Sequence, residues 1–105
     1  KPFDWNDEKN EWLRQERGIT FEDIVFHLAH DGLLDILERP NPRQYPGQRL
    51  FVVNVEGYAC IVPFVKDDDK IFLKTIIPSR KMTNIIWEVI KMKLTNDEKK
   101  LLDSA

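Results

Sequence analysis

Arg49-Leu50-Phe51-Val52-Val53-Asn54-Val55-Glu56-Gly57-Tyr58-Ala59-Cys60-Ile61-Val62-Pro63-Phe64-Val65 is the stretch whose reading decides the fold. Two runs rich in β-branched and aromatic residues flank Glu56-Gly57, a pair suited to a tight turn, so residues 49–55 and 58–65 are expected to form a β-hairpin. Pro63 removes one ladder donor from the second run, which points to an edge or a bulge at that position. Downstream, Lys66-Asp67-Asp68-Asp69-Lys70 reads as a solvated turn into a further strand over residues 71–77. Upstream, Leu33-Leu34-Asp35-Ile36-Leu37 reads as a short strand that runs into the loop 39–47, where Pro40, Pro42 and Pro46 rule out a helix or a central strand. Short connections make an antiparallel four-stranded meander the economical topology.

Before the strands the hydrophobic period is helical. Residues 6–15 are rich in Glu, Lys, Asn and Leu, with Asp4 or Asn6 placed to cap the first amides and Gly18 suited to a left-handed stop. Thr20 opens a capping box with Asp23, and Phe21, Ile24, Val25, Leu28 and Ala29 follow at helical spacing until Gly32. The fold class is therefore α+β, two helices followed by a sheet. The expected core is Phe21, Ile24, Val25, Leu28, Phe51, Val53, Ile61 and Ile76. Trp5 and Trp12 read as helix packing, and Tyr45, Tyr58 and Phe72 as strand core rather than as stacking surfaces.

A chain of 105 residues, 42% hydrophobic, supports one core. Cys60 is the only cysteine, so no internal disulfide and no cysteine-based zinc site can form within one chain. His27 and His30 share a helix face but read as surface histidines near a helix end. No metal or cofactor is expected, and no apolar run is long enough to span a bilayer. The opening Lys1-Pro2-Phe3-Asp4-Trp5 lacks the apolar stretch of a secretory signal, so the expected setting is a reducing cytoplasm. With 16 Lys and Arg against 18 Asp and Glu, the formal charge is -2, so any RNA site must be a local cationic patch or arise on a larger partner such as the ribosome.

Three stretches narrow the class further. Phe3-Asp4-Trp5-Asn6-Asp7-Glu8-Lys9-Asn10, Arg17-Gly18-Ile19-Thr20-Phe21-Glu22-Asp23 and Ile76-Ile77-Pro78-Ser79-Arg80-Lys81-Met82-Thr83 resemble, in order, three motifs of the BrnT-like toxins of bacterial toxin–antitoxin pairs. The resemblance implies a RelE-like fold in which two N-terminal helices lie on a four-stranded antiparallel sheet. It also implies an endoribonuclease activity that inhibits translation and growth, and neutralisation by a cognate antitoxin. Two departures stand out: Arg17 replaces the family's His before Gly, and Pro78-Ser79-Arg80 replaces its Ser-Ala-Arg step.

Metal-free RNA cleavage uses the 2′-hydroxyl as nucleophile, so the protein must position the backbone, neutralise the phosphoryl oxygens and assist two proton transfers. Arg80 and Lys81, directly after the last strand, are the first candidates for the phosphate, with Arg49 adding charge at the start of its strand. Glu38 and Glu16 are the candidate proton acceptors. Lys9, Arg17, Arg39 and Arg43 are the candidate RNA-binding cations. The expected partners are an antitoxin, RNA, operator DNA through the antitoxin only, and a second copy of the chain. The competing class is a noncatalytic module that forms an autoregulatory DNA-binding complex with the antitoxin.

Residues 1–83 carry the resemblance, and residues 84–105 depart from it. Met92-Lys93-Leu94-Thr95 onward resembles the opening of a short antitoxin, with a capping box at Thr95 and Glu98 ahead of Leu101 and Leu102. The codons of Trp87 to Met92 can carry the ribosome-binding core GGAGG. The expectation is in-frame read-through from the toxin gene into the antitoxin gene, with residues 84–91 lacking a selected fold and residues 95–102 helical.

Overall fold

A computed structural model of the chain describes residues 2–39, 41 and 43–93. Along these residues the elements are β1 (Phe3–Asp4), α1 (Asp7–Arg17), α2 (Phe21–Ala29), β2 (Leu33–Glu38), β3 (Gln48–Val55), β4 (Tyr58–Lys66), β5 (Ile71–Leu73), β6 (Ile77–Pro78) and α3 (Arg80–Lys93). The strands make one sheet in the order β1-β5-β4-β3-β2, with β6 also beside β4. β1 runs parallel to β5, and the other pairings are antiparallel. The α+β class therefore holds, but the sheet is mixed and larger than the four-stranded antiparallel meander expected.

Pro63 explains part of that difference. The stretch 71–77, expected as one strand, is split into β5 and β6. Pairing with β4 runs through Phe64↔Leu73 and resumes at Ile61↔Ile77. Between these, the Pro63 carbonyl accepts from the Lys74 N–H at 2.8 Å, while its nitrogen has no hydrogen to offer. The proline thus sits in an inner strand, at a break in its neighbour. Ile76, in the break, drops into the core and is fully buried.

The helices start where their caps say. Asn6, not Asp4, caps α1, its side chain accepting from the Lys9 N–H at 3.0 Å. Gly18 ends α1 at φ 67°, a left-handed conformation that costs glycine no Cβ clash. The Thr20–Asp23 capping box is closed in both directions, at 3.2 and 2.9 Å. Buried Asn10 joins the two helices, accepting from the Phe21 N–H at 2.8 Å and donating to the Glu22 carboxylate. Asp4 instead bonds Lys70 at 3.0 Å, which ties β1 to the far side of the acidic turn. That bond to the ammonium, with a further one from the Trp5 N–H, holds the Asp4 carboxyl below its ordinary range. Gly32 is required by space, since a Cβ there would lie 2.5 Å from the His27 carbonyl oxygen.

The core fills the face beneath α1 and α2. Leu13, Ile19, Phe21 and Ile24 meet Phe51, Val53, Cys60, Val62, Phe64, Leu73 and Ile76, with Val25 and Leu28 half-buried against them. Phe51 and Phe64 stack with ring centroids 3.8 Å apart. Ile61 does not join this core. Cys60, Val62 and Phe64 point to the helical face, so strand alternation turns Ile61 to the opposite one, where it pairs with Val52. Of the eight expected core residues it is the one that lies on the other side of the sheet.

α3 covers that opposite face. Ser79 caps its start by accepting from the Met82 N–H at 3.1 Å. Thr83 Oγ1 accepts from the Ala59 N–H at 2.8 Å, and the Trp87 indole N–H donates to the Gly57 carbonyl at 3.2 Å. Residues 84–91, expected to be translated ribosome-binding sequence without a selected fold, lie within α3, which runs on from Arg80 without interruption. Met82 and Ile86 are half-buried against the sheet, whereas Ile85, Trp87 and Val89 are largely exposed. Between α3 and β2 an apolar groove of about 390 Å³ stays open, lined chiefly by Leu34, Leu37, Val52, Ile85 and Val89. The expected helix at 95–102 lies outside the described residues. Among the described residues no helix is long and apolar enough to cross a membrane.

Cys60 offers a direct check on the core. It is 3% exposed, and burial pushes its thiol up to about 11. A folded pKa raised above the unfolded value means that its stabilising contribution is complete below the unfolded pKa and is lost as pH rises through about 11. At pH near neutrality an alkylating reagent should therefore leave the native chain unmodified by mass and label it after denaturation. Equal labelling rates in the two states would place Cys60 outside the core.

Candidate functional site

The candidate cations fall into three groups. The first stands on α1, where Lys9, three residues before Trp12, shares its side of the helix, and Arg17 reaches the same ring from the last turn. Lys9 Nζ lies 4.2 Å from the Trp12 ring centroid and the Arg17 guanidinium 5.1 Å from it. Arg17 also donates to the Ile76 carbonyl, across to the segment that leads into α3. Trp12 is 43% exposed, because Leu13 takes the core position on this helix.

The second group is Arg80 and Lys81, which open α3 rather than simply following a strand. Both are exposed, and among the described residues neither has an ion-pair partner. The helix they open has no acidic residue in its first turn. Cations at a helix N-terminus oppose its dipole, so their presence there is not explained by helix stability.

The third group lies at the end of the sheet formed by the exit of β2 and the entry of β3. Arg49 pairs in register with Glu38 and forms an ion pair with it at 3.4 Å. The Arg39 guanidinium lies 4.0 Å from the Tyr45 ring centroid, and Arg43 is exposed in the same loop. Glu38, the candidate proton acceptor, is an open carboxylate already engaged by Arg49, with 83% of its side chain exposed. Glu16 is exposed on α1.

The register separates the second and third groups. Pro78, two residues before Arg80, pairs with Cys60, whereas Arg49 pairs with Phe64. Four strand positions along β4 correspond to roughly 13 Å. The structure therefore does not gather Arg80, Lys81, Arg49 and Glu38 at one point. What it does join, through Arg17, is the α1 group and the approach to α3.

No protein-family model, curated protein or solved structure matches this chain.

Several aromatics sit otherwise than the sequence suggests. Tyr58 is exposed, and Tyr45 and Phe72 are half-buried, each of the latter two with a cation over its ring, Arg39 and Lys74 respectively. His27 and His30 both contact the exposed ring of Phe26. The cation–aromatic role of Trp12 is not evident from the helix pattern. Its signal is that Trp12 and Lys9, three residues apart, lie off the Asn10–Leu13 stripe that faces the core, whereas Arg17 continues that stripe and reaches the ring from the helix end.

Proposed function

We propose that the chain is an endoribonuclease toxin of the BrnT-like, RelE-related kind, acting in the cytoplasm on RNA and held in check by an antitoxin. The observation that carries this reading is that its three motif stretches meet. Asn10 of the first bonds the Phe21 N–H and the Glu22 carboxylate of the second, and Arg17 of the second donates to the Ile76 carbonyl of the third. This connected unit ends in the two exposed cations Arg80 and Lys81.

In the proposed reaction Arg80 and Lys81 take the phosphoryl oxygens as charge builds on them, and the 2′-hydroxyl oxygen attacks phosphorus. The P–O5′ bond breaks as the 2′-hydroxyl gives its proton to solvent water and the leaving 5′ oxygen takes one from water, leaving a 2′,3′-cyclic phosphate and a 5′-hydroxyl. Arg49 and Glu38, held apart in their own ion pair, are given no role in this step. The test is expression of the chain alone in a bacterial host, with growth and RNA ends followed together. Growth arrest with new 5′-hydroxyl ends is the expected result, and growth with intact RNA would overturn it.

A second reading has its own observation. The open apolar groove between α3 and β2, with Leu34 and Leu37 of that edge strand and Ile85 and Val89 of α3 on its walls, suits a noncatalytic module that binds an antitoxin. That reading is favoured if the purified chain leaves RNA intact yet forms a stoichiometric complex with the protein encoded immediately downstream.

A further inference from the structure

We infer that Trp12, with Lys9 and Arg17, is a stacking site for an unpaired base of single-stranded RNA, an inference that rests on the ribonuclease reading for its choice of ligand. Trp12 is the largest apolar side chain of α1, yet it is 43% exposed while Leu13 beside it is wholly buried. Its ring is not serving the core. Instead two cations lie over it, at 4.2 and 5.1 Å. An exposed indole with flanking cations is the composition that holds single strands: the ring takes a base, and the cations take the adjoining phosphates. A base arriving on the ring displaces an ammonium or guanidinium that remains within reach of that base's own phosphate.

The surroundings decide which term dominates. Glu8 and Glu16 stand four residues before and after Trp12, so they share its side of the helix and offset the two cations. Charge attraction alone is therefore weak, and stacking must supply the selectivity. Glu11 is engaged elsewhere, with Arg14 at 3.4 Å. Arg17 gives the site its direction. It touches both the Trp12 ring and the Ile76 carbonyl, and from Ile76 to Arg80 the chain spans at most about 14 Å. A strand anchored on Trp12 is thus led by Arg17 toward the cations assigned to the scissile phosphate.

The experiment uses the full chain and a fluorescent single-stranded RNA of about ten nucleotides, a length in the range of one single-strand binding site. Its 2′-hydroxyls are methylated so that it cannot be cleaved. Trp12→Ala should weaken binding roughly ten-fold or more, and Trp12→Tyr, which keeps a π-face, should retain affinity to within about three-fold. With two phosphates engaged, log affinity should fall against log salt with a slope near about −1.4. The unmethylated RNA then reads cleavage, where Trp12→Ala should raise KM rather than lower kcat. Equal affinity of Trp12→Ala and the parent chain overturns the site, as does equal binding of duplex RNA, whose paired bases cannot stack on the indole. Absence of binding by the parent chain overturns it too. Trp12-dependent binding without any cleavage leaves the site standing and removes the ribonuclease reading. Cleavage that ignores Trp12 does the reverse.

Discussion

Replacing Arg80 and Lys81 together by alanine is expected to lower RNA cleavage by at least roughly 10²–10³-fold, the cost of removing one preorganised group from a developing oxyanion. Both side chains are exposed at the first turn of α3, and neither has an ion-pair partner among the described residues. The fold should therefore survive. The helix dipole makes the prediction sharper: each cation at a helix N-terminus is unfavourable by about 0.3–1 kcal/mol, so the double variant should melt at the same temperature as the parent or slightly above it. A stable, inactive variant is the signature of residues kept for the substrate rather than for the fold. Unchanged cleavage would remove both from the mechanism, and a large fall in melting temperature would show a structural role that the geometry does not contain. Single variants add a further distinction. If the two cations share one phosphate, either substitution alone should cost nearly as much as both, because groups acting as a unit are not additive.

Much of the fold is legible in the sequence because local signals and tertiary demand agree. Thr20 and Asp23 close a capping box that their spacing announces, and Glu56-Gly57 joins two strands at the place their composition suggests. The failures have physical causes. β1 is two residues long and parallel to a partner near residue 71, so no local period could reveal it. The expectation for Ile61 fails because both faces of β4 are covered, one by α2 and the other by α3, and an apolar run of that kind has no alternation to read. The site is less legible than the fold. Arg49 and Glu38 look independent in the sequence, and only the register of β2 on β3 makes them each other's partner. Arg17 reads as an RNA-binding cation at the exit of the first helix, and only the fold shows it reaching Ile76. Trp12 reads as packing because a tryptophan beside a leucine on a short helix usually is, and one position of helical phase separates the two outcomes.

Truncation after Thr83 is expected to unfold the domain or nearly so, although the resemblance to the toxin family ends at that residue. The cut leaves four residues of α3, too few to persist as a helix without the rest. The Trp87 bond to the Gly57 carbonyl disappears with the removed residues, and the Thr83 bond to the Ala59 N–H loses the helix that aims it. Ile86 no longer covers the sheet, and Val52 and Ala59, only 1% and 2% exposed, meet water. At about 1.5–3 kcal/mol for each large aliphatic group fully buried, the loss is on the order of 3–5 kcal/mol. Natural domains hold only about 5–15 kcal/mol in total. A fall in melting temperature well over about 10 °C follows for a domain of this size. A second truncation after Lys93 preserves every contact named above, so it supplies the baseline for the comparison. Origin and role are separable in this test, since codons read through from one gene into the next can still encode a helix that covers an apolar sheet face. Equal melting of the two truncations would show that α3 is dispensable, and would put the physical end of the domain where the family resemblance stops.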